Sequence, residues 1–484
     1  MAEPANATQS STSRLTSWLF LPAVAITNRL TYARKFVLIG LVLLAPLAFL
    51  LRLQYVGSSE SIDFNAKERL GIEHIDPTKD FLYALEKRRV LVAAEFAGGV
   101  MKDELTTVTA EADARLSAVS AVDQRYGGAD QLKTSEKWGR IVTGWNALKG
   151  KTFANAIDAD AAHAELGALL VDLILNHSCN YSNLILDPDL DSYWLMDAWC
   201  TKMPIISESI SGTATRALRS LSARTDEQMI DLAGETRVLT ATTNDLAAVN
   251  MKTAFAETKD PKNGQSPTLE PNLTLPSQGV TLKVGAYADL LKNGFLLRAK
   301  AAPTADPAAL RSVVDSALAA LAASNLLYDR IAPELDWLCA KRVINYSGRR
   351  MLGLGLGVLA VVLVGYFFAG FYLSVRASVV SLGGATRRMI EGSEESFQLE
   401  AKDELGQIAD SYNQINEALI KSRTLQRQVE KDNLELQENI MDLLRVVSDA
   451  SDGDLRVRAQ NHGRRARQRG RRVQSPARVA TGLG

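Results

Sequence analysis

Two uninterrupted apolar stretches interrupt an otherwise mixed pattern of hydrophobic and polar positions. Phe36 to Leu51 is sixteen residues without a charge, followed by Arg52 and then Leu53-Gln54-Tyr55-Val56. Met351 to Val375 is twenty-five residues without a charge. A helix needs about 20 apolar residues to cross a hydrocarbon layer of ~30 Å. The pattern therefore predicts transmembrane helices over 36–56 and 351–375. The first is completed if Arg52 snorkels toward the interface with Tyr55 in the headgroup zone. Thirty-five residues precede it, more than the short n-region of a cleaved signal peptide. Residues 57–348 form one block rich in Ala, Leu and charged residues with few β-branched runs, so helices dominate it. Helices are predicted near 59–100, 102–123, 157–180, 191–212, 213–255 and 304–347. Glu257 to Gln278, with four prolines, reads as a loop. Long helices entering and leaving through a membrane suggest an elongated bundle.

Beyond the second apolar run the periodicity changes. Val379, Leu382, Thr386 and Met389 step by three and four, a heptad seam on one helix. After Gly392 comes an acidic, non-helical linker in which Phe397 and Leu399 alternate with polar residues. Leu405, Ile408, Tyr412, Ile415 and Leu419 then resume the seam, which runs on through Val429, Leu436, Ile440, Leu443 and Val447. Ser422, Gln426 and Asn433 interrupt it, and polar residues at seam positions can fix register or oligomer state. Residues 1–35 begin with a small, polar stretch and end in an interfacial segment around Trp18 to Leu21 and Pro22.

Charge orients these elements. Lysine plus arginine, at 55, equals aspartate plus glutamate, at 55, so the total names no partner. Arg29, Arg34 and Lys35 precede the first span, and Glu3 is the only acid before them, which places the N-terminal side in the cytoplasm. Two spans return the C-terminal side there. Arg349 and Arg350 oppose this orientation, and Arg376, Arg387 and Arg388 offset them.

Helix, linker and helix just inside a second span, with Asp403-Glu404-Leu405-Gly406 opening the second helix, resembles the HAMP signal-relay domain. The match covers residues 376–430. It implies a homodimeric parallel four-helix bundle in which Ser378, Leu382, Phe397, Leu399, Glu404, Leu405, Gly406 and Ile408 take part in relay. The proline usual near the start of the first helix is absent, and Ser378 sits near that place. Residues 431–460 look like part of a second HAMP unit, with Leu455 and Val457 in the linker roles of Phe397 and Leu399. Tandem HAMP units resemble bacterial methyl-accepting chemotaxis receptors of the twitching-motility type. Two outer stretches, Ala66 through Arg89 and Asn183 through Tyr193, are like those of such receptors.

The C-terminal 461–484 departs from that pattern, with seven arginines and no acid. Codon degeneracy permits the segment, read one base later, to encode Thr-Thr-Glu-Gly-Ala-Leu-Gly-Asn-Val-Ala-Asp-Ala-Phe-Asn, which fits a second HAMP helix. The tail thus reads as the product of a shifted frame, and no nucleic-acid partner is expected from it. The resemblance implies partnership with a chemotaxis kinase and adaptor only in a form that continues into the signalling hairpin.

Candidate chemistry elsewhere is sparse. Asp187, Asp189 and Asp191 match the first three ligand positions of a calcium loop, but Ser192 and Ala198 stand where glycine and a carboxylate are needed. Capping of a helix starting at Tyr193 by Asp191 or Ser192 explains the acids more simply. Gly353 and Gly357 form a GxxxG, either a packing face or the ordinary glycine content of membrane helices. Arg69, Arg88 and Arg89 are the candidates for binding an anionic ligand, against pairing with Glu68 or Glu86 at the surface. His74, His163 and His177 lack metal spacing, and no nucleophile elbow, Walker loop or HExxH is present. Three cysteines exclude a disulfide scaffold and read as buried thiols.

The expectation is an all-α membrane protein with two transmembrane helices, an elongated periplasmic helical bundle and a cytoplasmic HAMP coiled-coil bundle. It is expected to be a homodimeric receptor of the bacterial inner membrane, not an enzyme, without cofactor or metal, embedded in membrane lipid. The competing readings are the front end of a sensor histidine kinase or diguanylate cyclase, and a structural membrane bundle.

Overall fold

The computed structural model describes residues 12–222, 224–297, 306–400 and 403–451. The basic 461–484, with Leu455 and Val457, lies outside these residues. All regular structure among the described residues is helical. The chain divides into two compact units, Leu44–Val361 on one hand and Met1–Leu43 with Val362–Gly484 on the other. Two helices, α2 (Tyr32–Phe96) and α11 (Pro307–Ile390), contribute residues to both and are long and apolar enough to cross a membrane. Most side chains in the apolar runs of both are exposed on the protein, as expected of surfaces that meet lipid.

In the larger unit the order after α2 is α3 (Lys102–Tyr126), α4 (Ser135–Lys149), α5 (Ala156–Asp172), α6 (Leu190–Asp197), α7 (Met203–Ser222), α8 (Asp226–Asp245), α9 (Lys252–Glu257), α10 (Leu269–Leu291) and the first part of α11. The breaks follow local chemistry. Gly98, at φ +94°, lets α2 end, with the Gly99 N–H returning to the Ala94 carbonyl. Asn155 caps α5 by accepting the Asp158 N–H. Thr225 and Gln228 form a reciprocal capping box that starts α8, so the predicted 213–255 helix is broken between α7 and α8. Wide π turns extend α5, α6, α8 and α10 over Leu173–Cys179, Ala198–Lys202, Leu246–Met251 and Lys292–Leu296.

The core is built from stripes at helical spacing. On α4, Trp138, Ile141, Trp145 and Leu148 step by three and four, and both indoles meet Phe81 of α2 edge to face. On α7, Met203, Ile206, Ile210, Ala214, Ala217 and Leu221 line one buried face. The predicted loop over Glu257–Gln278 is shorter than expected: residues from Leu269 onward are helical in α10 despite Pro271 and Pro276. Pro271 stands in the first turn, where a missing N–H costs nothing. All three cysteines are buried and unbridged.

In the smaller unit, α1 (Thr12–Asn28) precedes the start of α2, where Phe36 packs on Phe368, Phe371 and Tyr372. The end of α11 is followed by a connector and α12 (Glu404–Ser451). The connector runs back along α12: the Glu395 carbonyl accepts from Asn416 Nδ2, and Phe397 pairs with Asn413. The Tyr412 hydroxyl then donates to the Ala385 carbonyl of α11 at 2.8 Å. That reversal sets α12 side by side with the end of α11 in the same direction.

Candidate functional site

Asn183 to Ser192 links the π turn after α5 to α6. Asn183 sits in the left-handed region at φ 70°, and Asp187, placed before Pro188, is held extended. One oxygen of Asp187, Oδ1, accepts the Asp189 N–H at 3.0 Å and the Ser192 hydroxyl at 2.8 Å. This brings a row of acids onto one guanidinium, that of Arg342 on α11. Arg342 Nη2 donates to Asp187 Oδ1 at 2.7 Å and to Ser192 Oγ, and Nε donates to Asp189 Oδ2 at 2.8 Å. Nη1 reaches α2, donating to Asn65 Oδ1 and Glu68 Oε2, each at 3.0 Å. Asn65 and Glu68 are three apart and so share one helix face.

Arg342, Glu68 and Asp187 are all buried. Three carboxylates against one guanidinium leave an excess of negative charge, which a low-dielectric interior opposes. Burial, and then the neighbouring Asp187, push the Glu68 carboxyl up to about 8, with Arg342 pulling the other way. Burial also raises the Asp187 carboxyl, and burial and the same acids hold the Cys339 thiol well above its ordinary range.

Adjacent residues of α11 gather a second loop. Asp191 Oδ2 accepts the Gly264 N–H at 3.0 Å, and Lys341 donates to the Gly264 carbonyl. Glu334 accepts from Ser266, Thr268 and Asn272, tying the start of α10 to α11. Asp187, Asp189 and Asp191 thus neither form a calcium loop nor cap a helix at Tyr193. The helix starts earlier, at Leu190, and the acids hold Arg342 and the 264 loop.

The sequence candidates for anion binding fall in two places. Arg69 makes a two-pronged contact with Asp336, not Glu68, at 2.7 and 3.0 Å, in an open groove of about 530 Å³ that also holds Glu73, Asp76 and Asp329. Such a groove is acidic. Arg89 is buried on Asp160, Glu86 and Ser211. Arg88 is buried with its guanidinium over Trp145, donating to Thr109 Oγ1 and to His163 Nε2 at 2.5 Å. His163 Nδ1 bonds the Ala159 carbonyl at 2.7 Å, so its ring is held neutral, and burial lowers its pKa to about 4.

Ser178, His74 and Asp123 also line up, with His74 Nδ1 2.9 Å from Ser178 Oγ and Nε2 3.3 Å from Asp123 Oδ1. The histidine and serine are fully enclosed, and Ser178 also donates to the Leu173 carbonyl. A nucleophile needs room for a substrate beside it, and this one has none.

Of the relay candidates, Ser378 is buried, Leu382, Phe397, Leu399, Leu405 and Gly406 are half-buried, and Glu404 and Ile408 are exposed. The contact within the chain is made by Ser378, Ala385, Ala409, Tyr412 and Asn416. Phe397 packs edge to face on Tyr412 at 5.7 Å. Gly353 and Gly357 face α2: a Cβ at either would collide with Gln54 or Leu51, so this pair is a packing face. Arg342, Asn413 and Asn416 escaped the sequence reading, which marks Cys339 only as a buried thiol, since nothing local to them marks a partner 16 to 277 residues away.

No protein-family model, curated protein or solved structure matches this chain. The chain is thus defined by its own geometry: the described residues are all-helical in their regular structure and include two helices long and apolar enough to cross a membrane.

Proposed function

We propose that this protein is a two-pass receptor of the bacterial inner membrane, a homodimer of the chemotaxis type, that relays a periplasmic stimulus through a HAMP-like bundle. The observation that carries the reading is α11. One unbroken helix of 84 residues holds Arg342 in its outer part, the apolar run 351–375, and Ala385 under the Tyr412 hydroxyl. Arg342 and Ala385 thus belong to one element, as relay along a helix requires. The reversed connector and the two like-directed helices support the HAMP reading of 376–430, and the exposed Ile408, Ile415 and Leu419 suit a seam closed by a second copy. Relay of this kind needs an element with two arrangements whose balance the stimulus changes.

The test couples the two ends. Leu382→Cys in the full chain, in membranes, should crosslink copy to copy, and Glu68→Gln should change the rate of that crosslinking. Absence of any crosslink, or a rate indifferent to Glu68→Gln and to Arg342→Met, overturns the reading.

A further inference from the structure

Glu68, Asp187 and Cys339 bring one oxygen each and a thiol within 4.8 Å of one another, from α2, the 187 loop and α11. Arg342 takes Glu68 Oε2 and Asp187 Oδ1. The other two oxygens, Glu68 Oε1 and Asp187 Oδ2, are enclosed and take no hydrogen bond from a nitrogen or oxygen among the described residues, and the Cys339 thiol is the donor that faces Glu68. An unpaired carboxylate oxygen in a dry interior is costly, and two beside one thiol are rarely left so. The acids also outnumber the guanidinium, so the cluster lacks positive charge rather than negative.

We propose that Glu68, Asp187 and Cys339 form a binding site for one divalent cation of the zinc class. Two carboxylate oxygens and a thiolate are a donor set for a borderline-soft ion; calcium and magnesium take oxygen alone and would leave the thiol idle. Three protein ligands also fall one short of a closed tetrahedron, leaving a position for an exchangeable ligand. Binding displaces the protons held by Cys339 and Glu68, so a divalent cation takes their place with no change in the net charge of the cluster. Arg342 acts on the ligands from outside, fixing each carboxylate by its other oxygen, as outer-shell partners do in metal centres. The site rests on its own coordination chemistry and does not depend on the receptor reading.

The full chain, in detergent and stripped of metal by chelator, is titrated with zinc followed by elemental analysis, and with cobalt(II) followed by absorption. One equivalent should bind, and cobalt should give a thiolate charge-transfer band. Cys339→Ser should abolish that band and weaken zinc binding by at least tenfold, as should Glu68→Gln. Both substitutions leave the Arg342–Asp187 pair in place, and circular dichroism checks that each variant is folded. No stoichiometric zinc in the wild-type chain, leaving the cluster a proton site only, overturns the proposal. So does zinc held equally well by both variants, which would place the metal elsewhere. The crosslinking test of the receptor reading can fail without touching this result.

Discussion

Arg342 is one cation serving three carboxylates, so removing it exposes how much the cluster depends on it. Arg342→Met leaves Asp187 and Glu68 buried without their partner, and loss of one member of a buried pair costs about 3–5 kcal/mol. Chemical denaturation of the full chain should show a loss of that order. Adding Asp187→Asn should restore part of it, because the neutral amide no longer needs the charge; a double variant weaker than Arg342→Met alone would contradict this. His163 gives a second residue-level test. Its Nδ1–H is committed to Ala159 and its Nε2 accepts from Arg88, so a proton on Nε2 would face a cation. Its pKa in the fold, about 4, lies below the ordinary histidine value of 6.5. The unfolded chain therefore binds more protons between those values, and stability falls as pH drops from 6.5 toward 4, by on the order of 3 kcal/mol. Burial raises the carboxyls of Glu86, Asp187 and Asp191, which act with the opposite sign, so the comparison with His163→Gln isolates the histidine. That variant should have the flatter acid limb, and equal slopes would remove His163 from the account. Neither cluster was legible from residue order. Asp187 and Asp189 look like local acids because Arg342 is more than 150 positions away, and Asp191 because its partner Gly264 is 73 away; proximity of that kind is set by folding alone.

Elements were more legible than contacts. The two apolar helices, the connector and the long C-terminal helix follow from charge-free length and from three–four spacing, both of which act locally. Periodicity missed α10, masked by its prolines, and α4, whose Gly139, Gly144 and Ile141-Val142-Thr143 are poor helix formers in isolation. Burial of Trp138 and Trp145 against Phe81 overrides that propensity. The GxxxG was undecided in sequence because glycine is common in membrane helices, and geometry separates the three glycines involved. Gly353 and Gly357 meet α2 side chains, whereas Gly355 has nothing within 4 Å. Gly357→Leu should therefore loosen the pairing of the two helices by about 1–3 kcal/mol, with Gly355→Leu near neutral as its control. Thermal melts in detergent read the difference, and equal effects would mean the face is not specific. The connector is held in a similarly local way, since Asn413 both donates to and accepts from the Phe397 backbone, at 2.7 and 2.8 Å. Asn413→Ala removes both bonds, each worth about 1 kcal/mol, so hydrogen exchange at the Phe397 amide should accelerate by at least about tenfold.

At the scale of the molecule the long α12 poses the main physical problem. From Lys421 through Leu444 every residue is exposed, including Leu425, Val429, Leu436, Ile440 and Leu443. A solitary helix draws little stability from its own hydrogen bonds, and most helices persist by burying an apolar stripe. Here the stripe exists, at the three–four spacing of a coiled-coil seam, but the chain supplies nothing to cover it among the described residues. A second copy is the simplest cover, because a parallel pair brings each seam residue opposite its own counterpart. The prediction is a pattern rather than a single contact. Cysteine placed at Val429, Leu436, Ile440 or Leu443 should crosslink copy to copy in membranes, and cysteine at Lys431 or Glu438, off the stripe, should not. The three native thiols are buried and leave the background low. Crosslinking with a period near 3.5 residues means that two chains close the seam side by side. Uniform crosslinking along the helix means random collision, and none at the seam means that some other partner covers it; either would remove the dimer from the proposed relay.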